Sequence, residues 1–209
     1  MPNTARAREK YAGYASTYDQ GQDRPAPTRL AAMARLDLRP GQTVLDVGCG
    51  TGQSFALLEE AIGPEGRIIG VDLSPDMLAY ARARVARHRW RNVTLVLAVA
   101  GEVGIPAEAD AAFFHLTHDI MRTPQAVAWV VQHLKPGGRV VAVGIRWARW
   151  WQLRINCRVW RLARGYATTT EGLRAPWSHL AGLMPSLQVE ALGDGGLYLA
   201  WGTKDPATA

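Results

Sequence analysis

Short apolar runs alternate with amphipathic stretches along most of the chain, and turn residues separate them. Residues 27–39 (PTRLAAMARLDLR) read as a helix with Leu30, Met33, Ala34 and Leu36 on one apolar stripe, stopped by Pro40-Gly41. TVLDV then reads as a strand, SFALLEEAI as a helix ended by Gly63-Pro64, and RIIGVD as a second strand. Ser74 is a candidate N-cap with Pro75 at the first helical position, for a helix running to about Arg89. VTLVLAV and DAAFFHL read as the third and fourth strands. TPQAVAWVVQHL reads as a helix broken by Lys135-Pro136-Gly137-Gly138, and RVVAVGI as the fifth strand. Uniformly apolar strands alternating with helices predict a parallel sheet covered on both faces. The pattern changes after residue 165: LQVEAL and GLYLAWGT flank Gly193-Asp194-Gly195-Gly196, a hairpin signal.

The strand VLDV runs into Gly48-Cys49-Gly50-Thr51-Gly52 and then a helix. Glycines on alternate positions let a backbone turn sharply and approach a ligand closely, and the helix behind offers unpaired N–H groups. The spacing is neither the G-x-G-x-x-G of dinucleotide sites nor a P-loop. Asp46 precedes the loop. One βα unit later, Gly70-Val71-Asp72-Leu73-Ser74 places a carboxylate at a strand end, where it can accept both hydroxyls of a ribose.

VLDVGCGTG, GVDLSPDML and LKPGGRVV, in that order and spacing, resemble the class I S-adenosylmethionine (SAM)-dependent methyltransferases over roughly residues 40–145. The resemblance implies a doubly wound, mostly parallel seven-stranded α/β sheet with the last strand antiparallel, a Rossmann-like fold, and SAM as cofactor with S-adenosylhomocysteine as product. It implies that Gly48, Cys49, Gly50, Thr51 and Gly52 face the methionine part of SAM and that Asp46 helps hold its amino group. It also implies that Asp72 binds the ribose, with Leu73 and Met77 flanking the adenine; at helical spacing Met77 serves equally well as core packing. An Asp often follows the third strand in this family to meet the adenine amino group. Here Val99 holds that place, which leaves backbone groups, Glu102 or packing to do the work.

Strand four ends in Phe113-Phe114-His115-Leu116-Thr117-His118-Asp119, at the crevice where open α/β sheets bind ligands. The resemblance puts His115 beside SAM and His118 and Asp119 toward the acceptor. His118 is the candidate base for a phenol, enol carbon or hydroxyl, and an amine acceptor needs only deprotonation. For each His a structural hydrogen-bonding role competes, and for Asp119 a helix cap. Tyr11, Tyr14 and Tyr18, followed by Asp19, share one helical face. Methyltransferases acting on lipids, quinones and small metabolites often open with a similar segment that folds over the SAM pocket. Tyr18 is thereby expected at the cofactor, and Tyr11 and Tyr14 at the substrate. An aromatic stripe docked on the core is the competing reading.

The chain of 209 residues suits a single domain. Its parts read as an N-terminal lid (1–26), a SAM-binding core (40–145), a substrate-side insertion (146–180) and a terminal hairpin (186–204). Two cysteines give neither a disulfide framework nor a metal site, and they argue against thiol-dependent methylation; no metal is expected. With no 18-residue apolar run and no signal-like leader, the expectation is a cytoplasmic protein.

The formal net charge of +6 is not evenly spread. Arg146, Arg149, Arg154, Arg158, Arg161 and Arg164 fall in residues 146–164 without an acid, and 18 basic against 18 acidic residues remain elsewhere. The same stretch holds Trp147, Trp150, Trp151 and Trp160. As one helix, Trp151, Ile155, Val159 and Leu162 form an apolar stripe beside Arg154, Arg158 and Arg161, with Trp147 and Trp151 as candidate substrate contacts. Two readings stand level. One is an anionic membrane surface, giving a peripheral place on the inner face of the membrane; the other is a soluble lid over the acceptor. The neutral remainder and the missing Asn/Asp-Pro-Pro-Tyr signature argue against nucleic acid. The expected acceptor is amphiphilic, a phospholipid amine or an isoprenoid quinone precursor. A soluble small molecule of specialised metabolism, methylated on N, O or C, is the alternative, and a non-catalytic SAM-binding regulator is the third.

Overall fold

The computed structural model describes residues 3–12 and 26–206. Seven strands form one sheet: β1 (Thr43–Val47), β2 (Arg67–Asp72), β3 (Val93–Leu97), β4 (Ala109–His115), β5 (Leu134–Ile145), β6 (Gln188–Leu192) and β7 (Leu197–Thr203). Their order is β3-β2-β1-β4-β5-β7-β6, with β7 antiparallel to both neighbours. The helices among the described residues are α1 (Thr4–Ala12), α2 (Pro27–Leu36), α3 (Phe55–Ile62), α4 (Pro75–His88), α5 (His118–Met121), α6 (Pro124–Gln132), α7 (Leu153–Tyr166) and α8 (Ser178–Leu183). This is the doubly wound α/β architecture expected from the alternation of strand and helix patterns.

Side chains alternate across each strand and so fill two cores. Leu45, Val47, Ile69, Val71 and Phe114 belong to the core shared with α6 and α8. Val44, Ile68 and Phe113 belong to the opposite core, shared with α2, α3 and α4. Both faces are buried, which is why these strands read as unbroken apolar runs. A third, smaller cluster joins Ile145 at the end of β5 to Val159 and Ala163 of α7 and to Leu173, with Leu116, Trp147, Ile155 and Leu162 packed against it.

Three local readings are corrected. In α2 the buried positions are Arg29, Ala32 and Leu36, while Leu30 is exposed. The helix is turned by about one residue from the expected stripe because the Arg29 guanidinium finds buried partners. Second, β5 starts at Leu134, which pairs with Ala109; the register then jumps to Ala111–Arg139. Lys135–Gly138 is thus a bulge inside an extended segment, with Gly137 at φ +76°.

Third, residues 146–164 are not one helix, since α7 begins only at Leu153. Asn156 Oδ1 accepts from Ala148 N at 2.9 Å and its Nδ2 donates to Arg149 O at 3.1 Å, while Gln152 Oε1 accepts from Arg149 N at 3.1 Å. Asn156 thus takes the Arg149 carbonyl that a longer helix would have paired, the two side-chain oxygens bind the N–H groups of Ala148 and Arg149, and the chain turns before α7. The buried face of α7 carries Val159 and Ala163, flanked by Ile155 and Leu162; Trp151 lies on the exposed turn.

Candidate functional site

The glycine loop is fastened at its base and open at its tip. Gly48 N and Cys49 N both donate to Val71 O, at 2.7 and 3.1 Å, so the loop leaves β1 leaning on the end of β2. Gly48 adopts φ +74°, and a Cβ there would lie 2.6 Å from Thr117 Cγ2. Gly50 adopts φ +56° with open space where a Cβ would be. One glycine is therefore required by close packing, and the other presents bare backbone.

Asp72 ties this loop to the next helix. Its Oδ2 accepts from Gly50 N and its Oδ1 from Ser74 N, both at 2.8 Å. Ser74 caps α4, its Oγ accepting from Met77 N at 3.3 Å. Burial raises the Asp72 carboxyl above its usual range, opposed by the N–H groups of Ser74, Gly50 and Leu73.

Between these elements lies a cavity of about 360 Å³ at the C-terminal ends of β1, β2 and β4. Of the residues expected at the site, Gly48, Gly50, Asp72, Leu73, Met77, Glu102, His115 and Asp119 line it. Val99, Ala100 and Gly101 form the wall after β3, and Leu116, Thr117 and Ile120 the wall after β4. α1 lies across it through Asn3, Thr4 and Ala7. Among the described residues, that helix and the residue before it are held by hydrogen bonds from Asn3 N to Thr168 Oγ1 at 3.1 Å, Arg8 Nε to Leu73 O at 3.2 Å, and Lys10 Nζ to Ala167 O at 2.7 Å. Asp119 accepts from Thr168 N through both carboxylate oxygens, at 3.1 and 2.9 Å.

Behind the wall sits a buried polar cluster that the sequence pattern does not single out. Arg29 is 5% exposed and donates to Ser54 Oγ, Gln53 Oε1 and His115 Nδ1. Burial, with the Arg29 charge, pushes His115 down to about 3. Asp46 is buried, and its Oδ2 has no hydrogen-bond partner among the described residues. Burial raises its carboxyl to about 7, with Arg29 opposing and Asp72 adding to the rise.

Other expected site residues fall elsewhere. Asp46, Cys49, Thr51 and Gly52 are buried behind the lining of the cavity rather than in it. His118 does not line the cavity: it is 3% exposed, and Nε2 meets Glu171 O at 3.2 Å. The first turn of α5 turns it away from the cavity lining while bringing Asp119 in. Trp147 packs into the cluster under α7, and Trp151 stands on the surface beside Arg149, so neither lines the cavity. Tyr14 and Tyr18 lie outside the described residues, as does the side chain of Tyr11. Asn3, Thr4 and Ala7 carry no signal of their own in the sequence, where the tyrosines that follow are far more conspicuous.

The cavity suits SAM by its chemistry: bare backbone at Gly50, a carboxylate at a strand end, an apolar flank at Leu73 and Met77, and an unpartnered buried carboxyl oxygen behind the loop.

A methyltransferase-domain family model matches residues 44–138. A protein-L-isoaspartate O-methyltransferase of Aeropyrum pernix is 36% identical over 122 residues, covering 58% of this chain and 46% of that protein. A demethylmenaquinone methyltransferase of Symbiobacterium thermophilum is 34% identical over 117 residues, covering 53% and 45%. The chain thus spans about half the length of the curated relatives it matches. Among solved structures, a phosphoethanolamine N-methyltransferase of Haemonchus contortus, in complex with phosphomonomethylethanolamine and S-adenosylhomocysteine, superposes with a TM-score of 0.68 at 18% identity, covering 96% of this chain and 58% of that one. At that identity the likeness shows the fold alone.

Proposed function

The chain carries a class I SAM-dependent methyltransferase domain, and from that premise we propose that it transfers the methyl group of SAM to an amphiphilic, lipid-like acceptor bearing an amine. The observation that carries this reading is the pairing of a SAM-compatible cavity with Asp119 as the carboxylate on its β4 side.

SAM, when bound, supplies a methyl group already activated on a sulfonium, so the protein's work is alignment and exclusion of water. Gly48 and Gly50 present backbone, Asp72 accepts from the ribose hydroxyls, Leu73 and Met77 flank the adenine, and the wall Val99–Gly101 closes the adenine side. α1 borders the cavity through Thr4 and Ala7, with Asn3 just before it.

An amine suits this site better than the phenol of a quinone precursor. A phenol, enol or hydroxyl profits from a general base. Both ring nitrogens of His115 are committed, Nδ1 to Arg29 and Nε2 to Thr28 Oγ1 at 3.1 Å, and His118 is outside the cavity. An amine can shed its ammonium proton to solvent before it docks and then attack as the free base, with Asp119 accepting from its N–H and facing the positive charge that forms on nitrogen as the methyl arrives. The curated relatives are named for acceptors as different as isoaspartyl protein and demethylmenaquinone, so the domain match leaves the acceptor open.

The test is transfer from tritiated SAM to a panel of phosphatidylethanolamine, a demethylated isoprenoid quinone, and soluble amines and phenols. Transfer to the amine amphiphile is expected, with Asp119→Asn lowering kcat/KM about tenfold or more, well beyond its effect on SAM affinity. Transfer confined to soluble phenols would replace this reading with that of a soluble small-molecule methyltransferase.

A further inference from the structure

The three most exposed large apolar side chains among the described residues stand together at the start of α7: Trp150 (79%), Leu153 (73%) and Trp151 (57%). They continue along the helix, because Leu153, Cys157 and Trp160 recur at spacings of four and three and all face outward. This outer stripe is opposite the one that packs inward through Val159 and Ala163. α7 is therefore apolar on two faces, and only the inner face has a partner among the described residues.

The charges around the outer stripe are of one sign. Arg149 lies over the Trp151 ring at 5.3 Å, and Arg164 over the Trp160 ring at 4.6 Å. Arg154 and Arg161 are exposed beside the stripe. No described carboxylate pairs with these four; Arg158 pairs with Asp194, and Arg146 lies over Trp177. Bulky apolar side chains at the tip, ringed by guanidiniums stacked on indoles, match the boundary between anionic headgroups and acyl chains. A nucleic acid would pair with the arginines but leave Trp150 and Leu153 in water. A second copy would bring arginine against arginine.

We propose that the turn 148–152 and the outer stripe of α7 dock on an anionic lipid bilayer, with Trp150, Trp151 and Leu153 entering the headgroup region. No described helix is long and apolar enough to cross a membrane, so the attachment is interfacial. The surface also has a route to the cavity. The inner face of α7 packs in the cluster that holds Leu116, and Leu116 lines the cavity. Docking leaves only α7 and the cluster under its inner face between the bilayer and the cavity. That last consequence rests on the proposed transfer to an amphiphile; the docking itself does not.

The test is flotation of the whole protein with vesicles of phosphatidylcholine, with and without phosphatidylglycerol, alongside calorimetry of SAM binding. Flotation only with phosphatidylglycerol is expected, with a blue shift of the tryptophan emission. Trp150→Ser with Leu153→Ser, and separately Arg154→Gln with Arg161→Gln, should each weaken vesicle binding about tenfold while SAM affinity stays constant. Absence of flotation, equal flotation on neutral vesicles, or flotation indifferent to both variants overturns the proposal. So does a duplex DNA probe that displaces the protein from vesicles, or a dimer in free solution that these variants dissolve. Vesicle binding with no methyl transfer to any amphiphile would uphold the docking and sink the acceptor reading, so the two fail separately.

Discussion

The Arg29 guanidinium meets His115 Nδ1 at 3.3 Å, and because arginine can only donate, that nitrogen must be the bare acceptor of a neutral ring. The proton then sits on Nε2 and points at Thr28 Oγ1, 3.1 Å away. A histidine at the rim of the cavity is thereby fixed in one tautomer by two residues of α2. Nitrogen-15 chemical shifts should report this Nε2–H form unchanged from pH 5 to pH 8. A titration with a midpoint near the ordinary histidine value would contradict the assignment.

Arg29 also stands close to Asp46, and the two buried titratable groups pull stability in opposite directions with pH. Folded Asp46 holds its proton up to about 7, whereas its ordinary value is 3.8. Over that window the folded state carries the extra proton, so stability falls as pH rises. Folded His115 stays neutral down to about 3, whereas its ordinary value is 6.5. There the unfolded state carries the extra proton, so stability rises with pH. Each slope is at most about 1.4 kcal/mol per pH unit, and they oppose one another where the windows overlap. In the ligand-free protein, Asp46→Asn should therefore leave a stability that climbs between pH 4 and pH 6. His115→Gln should leave one that declines over the same range. Denaturant midpoints measured across that range would decide it, and parallel profiles for both variants would refute the coupling.

Asp72 ties the glycine loop to α4 and is the proposed ribose ligand, so its removal should show twice. Asp72→Ala takes the acceptor from Gly50 N and Ser74 N, which frees the loop tip as well as the ribose site. SAM affinity should fall at least about tenfold, close to 1.4 kcal/mol. Calorimetry gives the affinity directly, and an unchanged Kd would remove Asp72 from the cofactor site.

The glycine loop separates two kinds of glycine. Gly48→Ala meets Thr117 and Ile120 in addition to its positive φ, whereas Gly50→Ala meets only the strain of its φ. Gly48→Ala should lower Tm more, and Thr117→Ser in that background should recover part of the loss by removing the nearest methyl. A Gly48→Ala protein as stable as Gly50→Ala would show that α5 gives way instead.

What is legible in the chain and what is concealed follow from the range of the interactions involved. Alternate glycines, the Ser74 cap and strands buried on both faces leave local, periodic marks. The loop, α4 and the succession of β1 to β5 are therefore readable from residue spacing alone. Arg29 leaves no such mark, because one arginine among many reads as solvated until Gln53 and Ser54 before α3 and His115 of β4 are in place. His118 and Asp119 are adjacent, and which of them enters the cavity depends on where the first turn of α5 begins. The start of α7 lies later than apolar spacing predicts for a related reason. Asn156 and Gln152 draw backbone groups of the preceding residues out of the helix, an effect that such spacing does not register.

Thr168 connects the cover of the cavity to its β4 side. Its hydroxyl accepts from Asn3 N at the start of α1, and its own N–H donates to Asp119. Thr168→Val preserves the shape and the N–H but deletes the acceptor for Asn3. A hydrogen bond at an exposed site contributes about 0.5–1 kcal/mol, which corresponds to a two- to fivefold change in the equilibrium between docked and undocked α1. Amides of residues 4–10 should exchange faster by about that factor, and SAM should dissociate correspondingly faster while Asp72 and the glycine loop remain intact. Unchanged exchange in α1 together with an unchanged dissociation rate would mean that Arg8 and Lys10 hold the helix without help from Thr168.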